Sequence, residues 1–235
     1  MRSGLALLVV VLLAGLMMAG VSQLPPPGAP DSAVHGHVAA TYIDGGAEAG
    51  GAPNLVTAVL LNYRAFDTYG EVVVIFAALI AVLAVGLAGR PIRSPRQAPT
   101  VPVSPVVDQV VRLLAPFIAL FALFMILEGH VLPGGGFQGG VVLGTLIILL
   151  GLVLSPRRLR HLLPHKAVFW IRSAAVLTFA CTALTGLALT GWLFALPEPH
   201  WLGESVIVGL ELAIGIGSAF AVAGFFLSLE ADRHR

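Results

Sequence analysis

Charged residues are scarce in this sequence, and their scarcity indicates its broad class. Asp, Glu, Lys and Arg make up 11% of the 235 residues, whereas about 25% is usual for a soluble domain. Hydrophobic residues make up 57%, and the mean hydropathy is +0.95. This composition is typical of a protein in a membrane, so we expect a lipid bilayer around it. The net charge of +1 excludes the strongly basic surface that nucleic-acid binding requires, and no nucleic-acid partner is expected.

Cysteine is nearly missing, and so are familiar catalytic motifs. A lone cysteine, Cys181, excludes an internal disulfide, and its apolar surroundings favour a small buried residue. No cluster of Cys and His indicates zinc. The sequence has neither a GxSxG nor an HExxH motif, and it has no paired redox cysteines. We therefore expect a chain that is not an enzyme and that has no cofactor or metal of its own.

Long apolar runs are abundant, and each is long enough to cross a bilayer as a helix. A hydrocarbon layer about 30 Å thick requires roughly 20 helical residues, because each residue adds about 1.5 Å. Lipid offers no hydrogen-bond partner to the backbone, so each crossing must be helical. The sequence predicts an all-α polytopic membrane protein with about six transmembrane helices in a 2+4 arrangement, at residues 4–24, 70–89, 106–128, 139–155, 167–190 and 204–228.

Basic residues between the runs predict the orientation. The 90–105 loop carries three arginines and the 156–166 loop carries three arginines and one lysine, whereas the alternate loops carry only Arg64. Basic loops remain in the cytoplasm. We therefore expect both termini inside, with the 25–69 and 129–138 loops outside.

The first run also fits a signal peptide. It has a basic start, an apolar core and a small-residue cleavage site near Ala19. Cleavage would leave five spans with the same orientation, so the charge pattern leaves both interpretations open.

A segment rich in proline and arginine divides the chain. Residues 91–105 read PIRSPRQAPTVPVSP, which excludes a helix interior. We expect a two-span segment at 1–90, a cytoplasmic linker at 91–105 and a four-span domain at 106–235.

Residues 53–71, PNLVTAVLLNYRAFDTYGE, predict a short amphipathic helix at the outer surface. The helix should begin at Pro53-Asn54 and end at a polar group formed by Asn62, Arg64, Asp67 and Thr68. Gly70 should then begin the second span and place Glu71 in its first turn, where a carboxylate meets the positive end of the helix dipole. The pattern fits either a solvated anchor, with Arg64 paired to Asp67, or a polar entrance for cations.

Residues 128–140, EGHVLPGGGFQGG, predict a compact turn between two spans. Pro133 should end the third span near His130. The glycines at 134–136 allow backbone angles that other residues avoid, and Gly139 and Gly140 allow close helix packing. We expect this turn to pack against a neighbouring protein of a complex.

Ionisable residues in or beside the spans are the candidates for ion chemistry. Glu128 and His130 lie at a helix end, and a histidine exchanges protons near neutral pH. Glu211 lies roughly 10 Å inside the last predicted span without a charged neighbour, where an acid is costly and normally faces a bundle interior. Asp108 and Arg112 have the i,i+4 spacing of a simple salt bridge.

Two of these stretches resemble a known family. GHVLPGGGFQGGVVLG resembles the MnhB-type subunit of multisubunit Mrp-type sodium/proton antiporters, with matches at Gly129, His130, Pro133, Gly134, Gly135, Gly136, Phe137, Gly139 and Gly140. LVTAVLLNYRAFDTYGE resembles the carboxy-terminal segment of the largest, MnhA-type subunit, which also occurs as a small MbhE-type subunit of membrane-bound hydrogenases. The matches are Arg64, Phe66, Asp67, Thr68, Gly70 and Glu71, while Asn62 replaces an acid that the family usually has.

The resemblance implies a subunit of a membrane complex in the cell membrane of a prokaryote. It implies docking beside large antiporter-like subunits, no cofactor in this chain, and transported Na+ and H+. The ion-path candidates are then Glu211, Glu128, His130, Asp67, Glu71 and Arg64. Three hypotheses stay open: an antiporter subunit, a membrane-arm subunit of an Mrp-related oxidoreductase such as an energy-converting hydrogenase, and a purely structural scaffold.

The predicted orientation has a direct test. A cysteine introduced at Ser32 should react with a membrane-impermeant thiol reagent added outside intact cells, and a cysteine at Ser94 should not. The parent protein, with Cys181 alone, supplies the background. Labelling at Ser94 from outside would show that the orientation is wrong.

Overall fold

The computed structural model describes residues 2–30, 32, 34–88, 104–154 and 165–233, and within these ranges the chain is helical and has no strand. The helices are α1 (Arg2–Val21), α2 (Ala39–Gly50), α3 (Leu55–Ala58), α4 (Ala65–Ala88), α5 (Pro105–Leu127), α6 (Gly136–Leu154), α7 (His165–Thr190) and α8 (His200–Arg233). Two short π-helical segments, Val34–Val38 and Val59–Tyr63, precede α2 and follow α3. The all-α prediction is confirmed. The predicted linker lies outside the described residues except for its last two positions, Ser104 and Pro105.

Six of these helices, α1 and α4 to α8, are long and apolar enough to cross a membrane. Their apolar stretches are Gly4–Val21, Ala65–Val85, Pro105–Leu127, Gly136–Val153, Val168–Thr190 and His200–Phe226. All six overlap the predicted spans, because length and apolar composition alone determine which segments lipid accepts. The chain is a multi-pass membrane protein.

The chain divides into two compact units, residues 1–44 and 45–235. In the first unit, α1 is apolar around its whole circumference, and its described side chains are exposed. A helix of this kind suits a lipid environment. The second unit contains α4 to α8 and carries all the polar clusters described below.

Helix α8 is the centre of the second unit and packs against α4, α5, α6 and α7. Its contact with α6 depends on small residues, since a Cβ at Gly140 would lie 2.5 Å from the carbonyl oxygen of Gly215. A Cβ at Gly144 would lie 2.8 Å from the carbonyl oxygen of Ala219. Lipid is as apolar as leucine, so close backbone approach and van der Waals contact hold such helices together. Gly139 has the same role toward α5, where an added Cβ would lie 2.5 Å from Ile126.

The amphipathic segment is confirmed, but the second span begins earlier than predicted. Asn54 caps α3, because its side chain accepts a hydrogen bond from the Val56 N–H. The chain breaks at Arg64, whose backbone leaves helical geometry, and α4 starts at Ala65 rather than after Gly70. The polar residues between 65 and 71 therefore lie within the first two turns of α4. A glycine in a helix costs little when the flanking residues favour the helix, so Gly70 does not separate the two elements.

Cys181 is exposed on α7, so the prediction of a buried residue is wrong. The error has a physical cause. In a membrane protein, apolar surroundings in the sequence do not distinguish a core position from one on the outer surface of the bundle.

The glycine contact between α6 and α8 generates a matched pair of substitutions. Gly140→Ala forces an added methyl group against the α8 backbone and should cost about 1–3 kcal/mol through overpacking. Gly209→Ala on α8 meets open space and should be neutral or slightly stabilising. Thermal melting of the purified protein in its native complex should show a lower Tm for the first variant only. Equal melting of the two variants would contradict the packing described here.

Candidate functional site at Glu211

Glu211 is a buried carboxylic acid inside a membrane span. It lies about three turns into α8, and only 5% of the residue is exposed. An unpaired charge at such a depth is costly, so the surroundings of this carboxyl group decide what it can do. Those surroundings come from the glycine-rich turn and from α3.

Two groups contact the carboxyl oxygens directly. The backbone N–H of Gly136, at the start of α6, donates a hydrogen bond to Oε2. The Thr57 hydroxyl lies 3.2 Å from Oε1 and 2.7 Å from the carbonyl oxygen of Gly129. Both contacts are buried. A helix N-terminus and a hydroxyl thus face one acid.

The Thr57 hydroxyl has one hydrogen and two neighbours that accept hydrogen bonds. A carbonyl oxygen only accepts, so the shorter contact requires that Thr57 donate to Gly129. The contact with Glu211 is then a hydrogen bond when Glu211 is protonated and donates to the Thr57 oxygen. If Glu211 ionises, Thr57 can rotate its hydrogen to the carboxylate. The Gly129 carbonyl then still accepts from the Asn54 amide, 2.8 Å away. The site therefore satisfies its hydrogen bonds in both protonation states.

Asn54 ties the amphipathic segment to the turn. Its side-chain amide donates to the carbonyl oxygens of Gly129, at 2.8 Å, and Leu132, at 2.9 Å. Its backbone N–H donates to the carbonyl of His130 at 2.9 Å. These bonds hold Thr57, one turn later, against the carboxyl group. The sequence identified Asn54 as the start of a helix, but its long-range partners and the role of Thr57 were missed.

The glycines of the turn let the backbone approach the acid. Gly135 has φ +129, and a Cβ there would lie 3.4 Å from each carboxyl oxygen. A Cβ at Gly136 would lie 2.8 Å from Oε2, and one at Gly129 would lie 2.5 Å from the Cα of Gly135. These contacts are within the chain. The expectation that the turn packs against a neighbouring protein is therefore corrected, because Glu211 and the neighbouring backbone account for the glycines.

A small cavity adjoins the carboxyl group. Its lining includes Thr57, Thr68, Gln138 and Glu211 together with the glycines at 134–136 and Phe137. Its volume of about 10 Å³ is close to the minimum for one water molecule. Thr68 is itself satisfied, because its hydroxyl donates to the Leu60 carbonyl at 2.7 Å. The site has a polar wall and room for one small polar species.

A second polar pair lies toward the beginning of α8. His130 Nε2 is 3.3 Å from Glu204 Oε1, and His130 Nδ1 is 3.0 Å from the Leu127 carbonyl oxygen. Glu204 precedes Glu211 by two turns, so the two acids lie on one face of α8. Glu204 was missed, since it appeared at the very edge of the predicted span. Glu128 follows α5 directly and is exposed.

The other predicted site residues lie on the exposed start of α4. Arg64 Nε donates to Asp67 Oδ2 at 2.6 Å, and both side chains are at least half exposed. Glu71 is exposed as well. No hydrogen bond or ion pair within the described part of the chain joins these residues to Glu211. Asp108 and Arg112 form the predicted salt bridge on α5, with Nε 2.9 Å from Oδ2.

Metal binding has little support at these positions. Among the described residues, no three His, Cys, Asp or Glu side chains are grouped as metal ligands. The chemistry available at Glu211 is the exchange of a proton, or the binding of one small cation by oxygen atoms.

Known proteins resemble this chain over nearly its whole length. Residues 106–228 match the family described as a domain related to the MnhB subunit of Na+/H+ antiporters. Residues 3–102 match the MbhE family, which is a component of the MBH complex. A probable K+/H+ antiporter protein of Rhizobium meliloti, of the fused A/B type, is 25% identical over 181 residues. That match covers 68% of this chain but only 18% of the relative.

Two solved structures share the fold. A chain of the membrane-bound sulfane sulfur reductase, an archaeal respiratory membrane complex, is 30% identical with a TM-score of 0.70, and 97% of each chain is covered. A chain of the Mrp complex from Dietzia sp. DQ12-45-1b is 23% identical with a TM-score of 0.61. There the match covers 95% of this chain and 26% of the other. The protein therefore belongs to the family of membrane subunits related to MnhB, with a segment related to MbhE ahead of that domain.

Proposed function

We propose that this chain is a non-catalytic subunit of a multisubunit cation/proton antiporter complex and that Glu211 is an exchange site on its ion path. The observation that carries the proposal is the buried carboxyl group between Thr57 and the Gly136 N–H. A scaffold position would be cheaper with an apolar residue, because a buried acid in a membrane span must be compensated. Family membership supports the assignment to a cation/proton antiporter complex.

The exchange follows from the hydrogen-bond inventory. Protonated Glu211 donates to Thr57, and ionised Glu211 accepts from both Thr57 and Gly136. A small hard cation such as Na+ prefers carboxylate, hydroxyl and carbonyl oxygens, and the site offers these from Glu211, Thr57 and Gly129. The cavity has room for about one water molecule. A proton and a cation therefore compete for one carboxylate, which is the requirement for exchanging one against the other.

The pair of His130 and Glu204 supplies a second station on this route. It lies two turns from Glu211 along α8, and His130 exchanges its proton near neutral pH. Glu128, Arg64, Asp67 and Glu71 are exposed, and we assign them to the surface where cations and protons enter. In this proposal both chain termini are cytoplasmic and the entrance lies on the outer face.

A second candidate is a membrane component of a respiratory oxidoreductase complex. One observation favours it: the structural match to the sulfane sulfur reductase chain covers 97% of both chains, whereas the Mrp chain is matched over 26% of its length. In such a complex, partner subunits would hold the redox centres and this chain would still handle ions. Purification of the tagged complex under mild conditions, followed by peptide identification, separates the candidates. Iron–sulfur or nickel–iron subunits would indicate the oxidoreductase, and antiporter subunits alone would indicate the exchanger.

Glu211→Gln tests the exchange site. Glutamine reproduces the hydrogen bonds of the protonated acid, since its amide donates to Thr57 and its oxygen accepts from Gly136, so the complex should assemble normally. Cation-driven proton movement in vesicles should fall by about tenfold or more, because the ionisable group is lost. Glu211→Asp should retain part of the activity. The matched control is Glu198→Gln in the exposed loop before α8, which should keep the wild-type rate. Wild-type rates in assembled Glu211→Gln complexes would support the scaffold hypothesis.

Thr57 offers an independent test of the two-state hydrogen bond. Thr57→Ser keeps the hydroxyl and should retain most of the exchange activity. Thr57→Val keeps the shape but leaves Glu211 without its hydroxyl partner, so exchange should fall and stability should drop by about 1–3 kcal/mol. Rates and melting temperatures of the two variants, measured side by side, check this expectation. Equal rates would exclude the Thr57 hydroxyl from the mechanism.

A further inference from the structure

Arg172 is a buried cation with unpaired donors inside a membrane span. It lies about two turns into α7, and only 3% of the residue is exposed. Its Nε and Nη1 atoms have no hydrogen-bond partner among the described residues. The guanidinium carbon lies 5.3 Å from the centre of the Phe76 ring. None of the ion pairs found in the described part of the chain includes this arginine.

Arg172 lines a second small cavity beside the Glu211 cavity. Helices α4, α6, α7 and α8 enclose it, and its volume of about 10 Å³ is near the minimum for one water molecule. Phe137 and Ile214 line both cavities, so these two apolar side chains separate Glu211 from Arg172. On α8, Glu211, Ile214 and Ser218 are spaced three and four residues apart and therefore lie on one face. The two cavities follow one another along that face.

Retaining an arginine here is expensive. Arginine stays charged, and a charge in a span normally pairs with an acid or faces a wet cavity. The Phe76 ring provides only part of the compensation. An apolar residue would fill the same space without unsatisfied donors. The position, one cavity beyond the exchange site, offers an explanation that packing does not.

We propose that Arg172 is an electrostatic seal that stops cations, protons included, from leaving Glu211 along α8 toward its C-terminal end. This inference rests on the proposed function of Glu211. A cation in the second cavity would stand beside the guanidinium without a carboxylate among the cavity-lining residues to offset the repulsion. The charge therefore makes the Glu211 site closed on this side. Ions reach and leave it by other routes, so that exchange does not become a leak.

Arg172→Met tests the seal, because methionine fills similar space without charge. Vesicles that contain the assembled variant complex should show an uncoupled proton or Na+ leak about tenfold above wild type, the scale expected for removing one unit charge about 10 Å away at an effective dielectric constant of about 20. Arg172→Lys should retain the seal. A leak at the wild-type level in assembled Arg172→Met complexes would overturn the proposal. Loss of assembly in Arg172→Met with rescue by lysine would also overturn it, since Arg172 would then pair with a neighbouring protein of the complex.

A double variant separates this proposal from the one on which it rests. If the leak passes through the Glu211 site, Glu211→Gln added to Arg172→Met should return it to the wild-type level. A leak that persists in the double variant would show that Glu211 is not on the route, and the proposed function would fail. The matched control is Glu198→Gln in the Arg172→Met background, which should leave the leak unchanged. Retention of a trapped neutral dye shows that the vesicles are intact.

Discussion

The contact between the Glu211 carboxyl group and the backbone of the glycine-rich turn is the constraint on which the polar centre of the protein depends. A backbone N–H can reach a buried acid only where no side chain intervenes, and a Cβ at Gly135 or Gly136 would enter that space. The turn must in turn be fixed in position, and Asn54 does this through hydrogen bonds to Gly129 and Leu132. One buried acid thereby explains the glycines, the capped α3 helix and the course of the chain from α5 to α6.

The same constraint accounts for the position of α8 at the centre of the second unit. Its small residues let α6 approach closely, which brings the N-terminus of α6 to Glu211. Phe137, in the first turn of α6, then stands between the Glu211 cavity and the Arg172 cavity. Packing and ion chemistry are thus coupled, because the apolar contacts that hold α6 and α8 together also set the boundary between an acid and a cation. An antiporter and a respiratory complex both need this arrangement.

The sequence predicted the parts of this account that depend on local properties. Span number follows from apolar length, the start of α3 follows from Pro53-Asn54, and the depth of Glu211 follows from helical rise. Contacts distant in the sequence were out of reach, so Thr57 and the tether from Asn54 to the turn were missed. Arg172 was missed for a different reason. An arginine near the end of a predicted span normally extends to the interface, and only the packing of four helices around it shows that it is buried.

Infrared difference spectroscopy on the intact complex tests the central claim most directly, because it observes the protonation of a carboxyl group rather than its consequences. The account predicts a carbonyl stretching band of a protonated carboxylic acid in the resting complex. That band should be missing in Glu211→Gln and should decrease when a cation gradient drives exchange, as Glu211 releases its proton. A Glu211 carboxyl band that stays unchanged during turnover would contradict the account, since the acid would then hold its proton permanently and serve only as a structural group.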